Sequence, residues 1–570
     1  MNNFNDRGLE IHEAMWDEDQ INKALKFMVE HDMNILILHK GDIIDKLIYP
    51  CKYFGYEDKT TNIHHGYSKI FRKLYQYTPA GRSAPYTLME FMKRVLTRAK
   101  RSGIKVYLNN KEIWFPDVLL NFHPELYKNG FICPSEPFWE EFIHTKYEEL
   151  FNCLPDLAGI ITSPATGESK VSISGNHCKC EKCQKMNPSE WYYNILMAMY
   201  KPIKKAGKEL VVRDFVFDSS SQAEISTSME EIPDDIKICF KNTPHDYYPT
   251  FPNNPRIGTV RGHKQWVEFD AMGQYYGWGV APSIMLDDLK ARMRYALDKG
   301  VTGYLVRIDW ETLPDHSCFD TPNLLNLYGA AELGKDVNTS NRDIYYQWLE
   351  NEDMLAENLS ALELKETLDF IQSTLGQTWD IVSKSLYTND CVFSDSSTFP
   401  VSLDHAWWLA EEKNSLRDWD PDKEDALYPT KENIQKILVE KDEAWEKFEE
   451  INTRVKGKNP GLKDEVYSDL LTRFNIFGLC VKGFTMIGKI SILARNLLEG
   501  RLEGRDEKLD LDYPPKQLLD KILDEMTLYK KELQKFNEET DYHHAVYHIL
   551  NPERLESFLT DVRSKFGNVN

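Results

Sequence analysis

The sequence has few of the features that mark nucleic-acid binders or membrane proteins. Lysine and arginine number 69 against 90 aspartates and glutamates, which gives a formal net charge of −21. A surface that seeks phosphates needs a basic field, so we expect no nucleic-acid partner. No run approaches about 18 consecutive apolar residues, so we also expect no membrane span and no membrane partner.

Cysteines are scarce, and the start of the chain does not resemble a signal peptide. Ten cysteines in 570 residues do not make a disulfide scaffold. Residues 1–19 are polar and charged, without the apolar core that a signal peptide needs. We therefore expect a reduced, cytoplasmic protein. The alternative is a secreted protein whose signal peptide has already been removed from this sequence.

Apolar and aromatic residues are plentiful, and they form short runs in the first part of the chain. Hydrophobic residues make up 42% of the sequence and aromatic residues 12%, enough for a large core. Continuous apolar runs are typical of strands buried on both faces. An eighth, weaker strand is expected near 67–75. The seven clear runs are 34–39, 104–109, 157–162, 210–217, 236–240, 266–270 and 303–309.

Helical segments separate these runs, as at 88–101, 190–206 and 286–299. Alternating strands and helices indicate parallel βαβ units, and eight such units close a barrel. We predict an α/β fold, a (β/α)8 TIM barrel over residues 1–335, with an open doubly wound sheet as the alternative.

The pattern changes near residue 335, because strand signals vanish and long amphipathic helices take over. Residues 336–570 therefore predict a mostly α-helical C-terminal domain, and a homodimer formed through it is a further expectation. The predicted helices are 344–359, 362–386, 404–412, 431–454, 462–498 and 515–536.

Acids, aromatics and a few cations follow the apolar runs, where a (β/α)8 barrel carries its catalytic groups. Sugar cleavage needs one carboxylic acid to protonate the leaving oxygen and a second carboxylate to activate water or attack. Aromatic faces stack on sugar rings. We therefore predict a glycoside hydrolase that takes an oligosaccharide and needs no cofactor. The candidate catalytic residues are Glu168, Asp246, Glu268, Asp270 and Gln274, and the candidate substrate-binding residues are Arg213, Lys241, Asn242, Glu112, Trp114, Tyr275, Trp278, Asp309 and Glu311.

Three successive strands also carry recognisable motifs. They are Arg213-Asp214-Phe215-Val216, Lys241-Asn242-x-Pro244-x-Asp246 and Glu268-Phe269-Asp270-x-x-Gly273-Gln274-Tyr275. In order and spacing they are similar to Arg-x-Phe-Val, Lys-Asn-Gly-Pro-x-Asp and Glu-Phe-Gln-x-x-Gln-Glu-Tyr of the α-glucuronidases of glycoside hydrolase family 67. The N-terminal β-sandwich of that family is missing here, so the chain resembles a distant relative or a sister family.

The resemblance implies an exo-acting, inverting enzyme that releases a uronic acid from a polysaccharide-derived oligosaccharide. Glu168 corresponds to the general acid and Asp246 to a water-activating base. Arg213 and Lys241 correspond to the cations that hold the uronate carboxylate. The chemistry of these two residues is consistent with that role, because proteins commonly bind a carboxylate through a pair of cationic side chains.

One residue departs from the family pattern, since Gln274 stands where the family has a second basic glutamate. An amide cannot take a proton from water near neutral pH. Asp246 then acts alone, or Glu268 or Asp270 substitutes for the missing glutamate, or the reaction differs, or the glutamine is an engineered, inactivating change. Two alternatives stay open. One is a barrel glycosidase for a neutral or N-acetylated sugar, in which Lys241 pairs with a protein acid. The other is an inactive glycan-binding relative.

The remaining motif is a cluster of cysteines in the segment 177–183. Cys178, Cys180 and Cys183 have metal-ligand spacing, and His177 or Cys133 would complete a structural zinc site. The second Cys-x-x-Cys of an ordinary zinc ribbon is missing. The pattern therefore favours reduced cysteines that pack a loop, and a zinc site is the alternative.

Overall fold

The barrel predicted from the sequence is confirmed. The computed structural model describes residues 3–55, 63–111, 113–164, 166, 168–215, 219–310, 313–499 and 514–566. Eight parallel strands form a closed barrel in which each strand pairs with its neighbours in the chain and the first pairs with the last. Numbered β1–β8, they are Asp6–Ile11, Ile35–His39, Lys105–Asn110, Gly159–Thr162, Glu209–Asp214, Lys237–Lys241, Gln265–Asp270 and Gly303–Arg307.

The strand that closes the barrel lies near the start of the chain, and the prediction of a strand near 67–75 is wrong. β1 pairs in parallel with both β2 and β8, whereas Ile63–Leu74 is a helix. Tyr67, Ile70 and Phe71 are buried in that helix. Their spacing of one, three and four residues is that of one helical face, not of strand alternation.

An apolar layer fills the middle of the barrel. Alternate residues of each strand point inward, and seven of the eight strands contribute side chains to this layer. The ring of Trp266 meets that of Tyr107 edge to face, with 5.6 Å between centroids. A Cβ atom added to Gly8 would lie 2.5 Å from a methyl group of Leu305, so β1 has no room for a side chain at this level. The layer consists of Ile35, Ile37, Tyr107, Ile161, Val211, Cys239, Trp266 and Leu305.

Helices connect the barrel strands and make up most of the rest of the chain. Helices predicted at 344–359 and 515–536 are found with shifted ends, and the segment predicted at 362–386 is two helices. Numbered α1–α19, they are Glu18–Glu30, Ile63–Leu74, Pro79–Arg101, Leu119–Phe122, Phe138–Cys153, Glu181–Lys185, Pro188–Lys205, Ser219–Met229, Leu286–Asp298, Leu324–Lys335, Asn341–Asn351, Ala361–Ser373, Thr378–Ser385, Leu403–Trp408, Lys431–Val455, Asp464–Glu499, Pro515–Glu539, His544–Ile549 and Pro552–Phe566.

Distances between Cα atoms divide the chain into two compact units. The first comprises Met1–Asn242, Asn254–Phe269 and Met293–Asp315, and it contains the barrel. The second comprises Thr243–Asn253, Asp270–Arg292 and His316–Asn570, and it is mostly helical. The predicted division at residue 335 stays a prediction.

Helix α16 is the core of the second unit. Among the described residues it is the one helix long and apolar enough to cross a membrane, but 83% of its apolar stretch is buried within the structure. Core helices of folded proteins have the same character. Gly478 lets α15 approach closely, because a Cβ there would lie 2.6 Å from the ring of Phe448. The Phe448 ring also packs edge to face on Phe477.

Candidate active site

A polar layer lies directly above the apolar layer, toward the C-terminal ends of the strands. Because inward positions alternate along a strand, the residue two places after each apolar one also faces inward. Active sites of (β/α)8 barrels lie at this end. Each of these side chains is at most 7% exposed, and they are Glu10, His39, Asn109, Arg213, Lys241, Glu268 and Arg307.

Arg213 and Glu268 form a bidentate ion pair inside this layer. The Nε and Nη2 atoms of Arg213 each donate to a different oxygen of Glu268 at 2.6 Å. The remaining Nη1 atom donates to Ser163 Oγ at 2.9 Å. Burial raises the pKa of Glu268, but the Arg213 charge outweighs it and holds that pKa below its ordinary value. Both groups are therefore charged, and the guanidinium is committed to a protein carboxylate.

Glu10 joins two histidines at the end of β1 and β2. One oxygen, Oε1, lies 2.8 Å from His12 Nε2 and 2.5 Å from His39 Nδ1. Burial raises the pKa of Glu10, but the two histidines lower it well below its ordinary value. Burial lowers the pKa of His39. Each ring aims a nitrogen at the same oxygen, Oε1, whereas the other oxygen, Oε2, is buried without a hydrogen-bond partner among the described residues.

These three residues were not among the predicted site residues. The signal for Glu10 and His12 is the alternation Leu9-Glu10-Ile11-His12, in which apolar and polar residues follow each other with the period of a strand, and the signal for His39 is its place at the end of the apolar run 34–39.

Glu168, the predicted general acid, lies at the rim of the same end of the barrel. Its carboxylate accepts a hydrogen bond from Lys111 Nζ at 2.5 Å, and its side chain is 44% exposed. The indole N–H of Trp114 donates to the backbone oxygen of Glu168 at 3.1 Å. Burial raises the pKa of Glu168, but the ammonium of Lys111 lowers it by more, so the net shift of this pKa is downward. Lys111 was not predicted, although it follows Asn109 by the two residues of a strand period.

Lys241 is the last residue of β6, and Asn242 follows it. The Lys241 ammonium lies 4.2 Å above the centre of the Phe215 ring. The backbone N–H of Asn242 donates to the Glu268 carbonyl oxygen at 3.0 Å. The side-chain oxygen of Asn242 and both amide atoms of Asn109 are buried without a hydrogen-bond partner among the described residues. Buried amides of this kind are suited to the hydroxyl groups of a ligand.

Asp246, the predicted base, belongs to the second unit and has a strained backbone. Its φ of 51° lies in the left-handed region, which few residues other than glycine adopt and which is often found at functional sites. The hydroxyl of Thr243 donates to the Asp246 backbone oxygen at 2.7 Å. The Tyr275 hydroxyl donates to the Asp246 carboxylate, and the Tyr275 ring lies 4.0 Å from that of Tyr248. Tyr275 therefore orients the proposed base.

The other predicted residues after β7 build the loop that follows it. The carboxylate of Asp270 accepts the backbone N–H groups of residues 272–274 at 3.0 to 3.2 Å. Trp278 is fully buried and donates its indole N–H to the Gln274 carbonyl oxygen at 3.0 Å. The Gln274 amide donates to Ser396 Oγ at 3.4 Å. These contacts hold the loop in place, and the catalytic and substrate-binding roles expected of these residues stay predictions.

Asp309 also holds a loop in place. It is fully buried, and its carboxylate accepts the backbone N–H groups of residues 12–14 at 2.7 to 2.9 Å. Burial raises the pKa of Asp309. Asp309 therefore fixes the segment that carries His12. Glu112 and Glu311, both predicted to bind substrate, lie outside the described residues.

The structure is similar to solved structures of glycoside hydrolases. An enzyme of glycoside hydrolase family 138 that targets pectin rhamnogalacturonan II matches with a TM-score of 0.58 and 12% identity, over 97% of this chain but only 63% of that one. A mutant of the Thermobaculum terrenum O-GlcNAc hydrolase matches with a TM-score of 0.44 and 12% identity, over 98% and 95% of the two chains. The Flavobacterium johnsoniae chitobiase matches with a TM-score of 0.39 and 14% identity, over 98% and 78%.

The likeness to the family 138 enzyme shows a shared fold, and it does not show membership of family 67. No protein-family model and no curated protein sequence matches the chain.

Proposed function

We propose that this chain is a glycoside hydrolase whose active site is the C-terminal mouth of the barrel. The observation that carries the proposal is the buried polar layer of carboxylates, cations and unpartnered amides, with Glu168 at its rim. A sugar presents many hydroxyl groups, and such a layer offers matched donors and acceptors for them. The likeness to an enzyme that targets a pectic glycan supports the same class of substrate.

In this proposal Glu168 donates a proton to the glycosidic oxygen while the bond from that oxygen to the anomeric carbon breaks. A water molecule attacks the anomeric carbon and loses a proton to a second carboxylate, for which the sequence motif offers Asp246. The products are a free sugar of inverted configuration and the shortened glycan. NMR of the first-formed anomer tests inversion, since a product that keeps the configuration of the substrate contradicts it.

The decisive experiment for hydrolysis is Glu168→Gln. We expect a loss on the order of 10²–10⁴ in kcat on natural oligosaccharides, whose leaving groups need a proton. Aryl glycosides with good leaving groups should lose much less. Glu90→Gln, at an exposed position on α3, is the matched control and should behave as wild type. Equal activity of Glu168→Gln and wild type on natural oligosaccharides contradicts the assignment.

For the sugar, we propose a terminal uronic acid, released by exo-action, whose carboxylate binds Lys241. Loss of one charge-assisted contact costs about 1.5–3 kcal/mol, so Lys241→Met should weaken kcat/KM for uronate substrates roughly ten- to a hundredfold. A neutral sugar matched in all but the carboxylate should be little affected. Lys100→Met, which removes an exposed lysine on α3, is the control. Equal losses on both sugars make Lys241 a structural residue.

A second candidate is a glycosidase for a neutral or N-acetylated sugar. The observation that favours it is the Arg213–Glu268 pair, because a cation already paired with a protein carboxylate is less available to a substrate. Wild-type rates on uronate-bearing, neutral and N-acetylated oligosaccharides, measured side by side, decide between the two candidates.

A further inference from the structure

Four cysteine sulfurs from two connections of the barrel meet at one point. Cys133 lies between β3 and β4, and Cys178, Cys180 and Cys183 lie between β4 and β5. All four Sγ atoms lie within 4.8 Å of one another. The Cys133 sulfur is 3.7 Å from that of Cys180 and 3.5 Å from that of Cys183.

These separations are those of metal ligands. A tetrahedral zinc ion with zinc–sulfur bonds of about 2.3 Å holds its sulfurs about 3.8 Å apart. A disulfide would require about 2.05 Å, and all four cysteines are free thiols. Soft thiolates in a tetrahedral set of four are the ligands that zinc takes in structural sites.

Backbone N–H groups point at three of the sulfurs. The N–H of Ser135 donates to Cys133, that of Cys180 to Cys178, and that of Cys183 to Cys180. Such donors stabilise thiolate, which is the form that binds a metal, and they orient the ligand.

The surrounding backbone is fixed before any ion binds. The indole of Trp139 donates to the Cys133 carbonyl oxygen at 2.8 Å, and that of Trp191 donates to the Pro134 carbonyl oxygen at 3.0 Å. The side chain of Asn176 accepts the N–H of Cys178 at 2.7 Å. A preorganised set of ligands loses little freedom on binding.

We propose that Cys133, Cys178, Cys180 and Cys183 bind one structural zinc ion. Four protein ligands leave no open position, which is the arrangement of a structural rather than a catalytic site. The ion would join the connection that follows Lys111 to the one that carries Glu168. His177, considered as a fourth ligand from the sequence, instead has its ring 5.6 Å from that of Phe131. The proposal is independent of the proposed glycosidase activity.

Metal content of the full-length wild-type protein, purified under reducing conditions without an affinity metal, is the primary test. We expect one zinc ion per chain, and its loss from a Cys178→Ser, Cys183→Ser double variant. Cys51→Ser, Cys153→Ser is the matched control and should keep its zinc, because both cysteines lie outside the cluster. Folded wild-type protein without zinc, or with iron in its place, overturns the proposal.

A second measurement uses only the wild-type chain. Replacement of zinc by cobalt should give the thiolate charge-transfer and intense visible bands of a tetrahedral site. Alkylation with iodoacetamide, read by mass spectrometry, should leave Cys180 protected until a chelator is added. The proposal is overturned if the chelator does not change the rate of Cys180 alkylation and cobalt gives no such spectrum. This holds even where the serine variants fail to fold.

Discussion

Among single residues, Lys111 controls the protonation of the proposed acid. Burial raises the pKa of Glu168, but Lys111 shifts it below its ordinary value. When Glu168 acts as proton donor, kcat/KM requires its protonated form and falls as pH rises through this lowered pKa. Lys111→Met removes the cation, so we expect the descending limb of the pH profile to move to higher pH. The profile is measured on one natural oligosaccharide.

The direction of the limb is the informative result. A limb that rises with pH, and that also moves up in Lys111→Met, would make Glu168 a base or a nucleophile. Lys100→Met should leave the profile unchanged and serves again as the control.

The Arg213–Glu268 pair yields a prediction about stability. Glu268→Gln leaves a buried guanidinium without its counter-charge, which typically costs about 3–5 kcal/mol in the free energy of unfolding. Because the pKa of Glu268 is lowered in the fold, its contribution is present above the unfolded value of about 4.3 and is lost as pH falls below it. Denaturant titrations should therefore show the difference from wild type at pH 7 and its decrease under acid conditions.

The control for this prediction is an exposed pair, Asp469 with Arg473 on α16. Asp469→Asn should cost less than about 1 kcal/mol, because solvent screens the pair. A cost for Glu268→Gln no larger than that of Asp469→Asn would show that the buried pair does not stabilise the fold.

At the scale of an element, the loop after β7 depends on one carboxylate. Asp270 accepts three backbone N–H groups, and an asparagine can accept with only one of its two side-chain atoms. Asp270→Asn should therefore lower the free energy of unfolding by about 1–3 kcal/mol. The shape of the pH–rate profile should not change, because in this structure Asp270 is a positioning residue.

Asp298→Asn, at the exposed end of α9, is the control and should be neutral. A loss of activity of 10²–10⁴ with unchanged stability would instead make Asp270 the base that the sequence also allowed.

The strands show what a sequence can reveal about this fold. Seven were predicted because their apolar runs are continuous, which is the pattern of strands buried on both faces. β1 was missed, since Gly8 and Glu10 interrupt its apolar character. Gly8 is small because Leu305 occupies its side of the barrel, and Glu10 is polar because it faces the site. Such interruptions can be explained only once the strand's neighbours are known.

The candidate site was predictable to a similar extent. Glu168 and Lys241 could be chosen because they follow apolar runs, and Arg213 and Glu268 because they are charged residues inside such runs. Their pairing could not be predicted, because the sequence does not show that the Arg213 side chain binds Glu268 rather than a ligand. Long-range partners depend on strand order and register, which a local pattern does not contain.

For the whole molecule, barrel closure depends on β1. Deletion of residues 1–12 removes the partner of both β2 and β8, which leaves two open sheet edges. We expect the shortened chain to aggregate, as judged by size-exclusion chromatography and near-UV circular dichroism. The matched full-length variant Glu10→Gln, His12→Gln keeps every strand pair, so it should stay folded and lose activity. A soluble, folded truncated chain would show that β1 is not needed for closure.

The pairing of the first strand with the last has a consequence during biosynthesis. A ribosome adds roughly 5–20 residues per second, so β8 emerges some tens of seconds after β1. Throughout that time β1 can pair only with β2, and the backbone hydrogen-bonding groups of its other edge can pair with a strand of another chain. We therefore expect chaperones to bind nascent chains of this protein until the eighth strand is made, and slow codons between β7 and β8 to prolong that exposure.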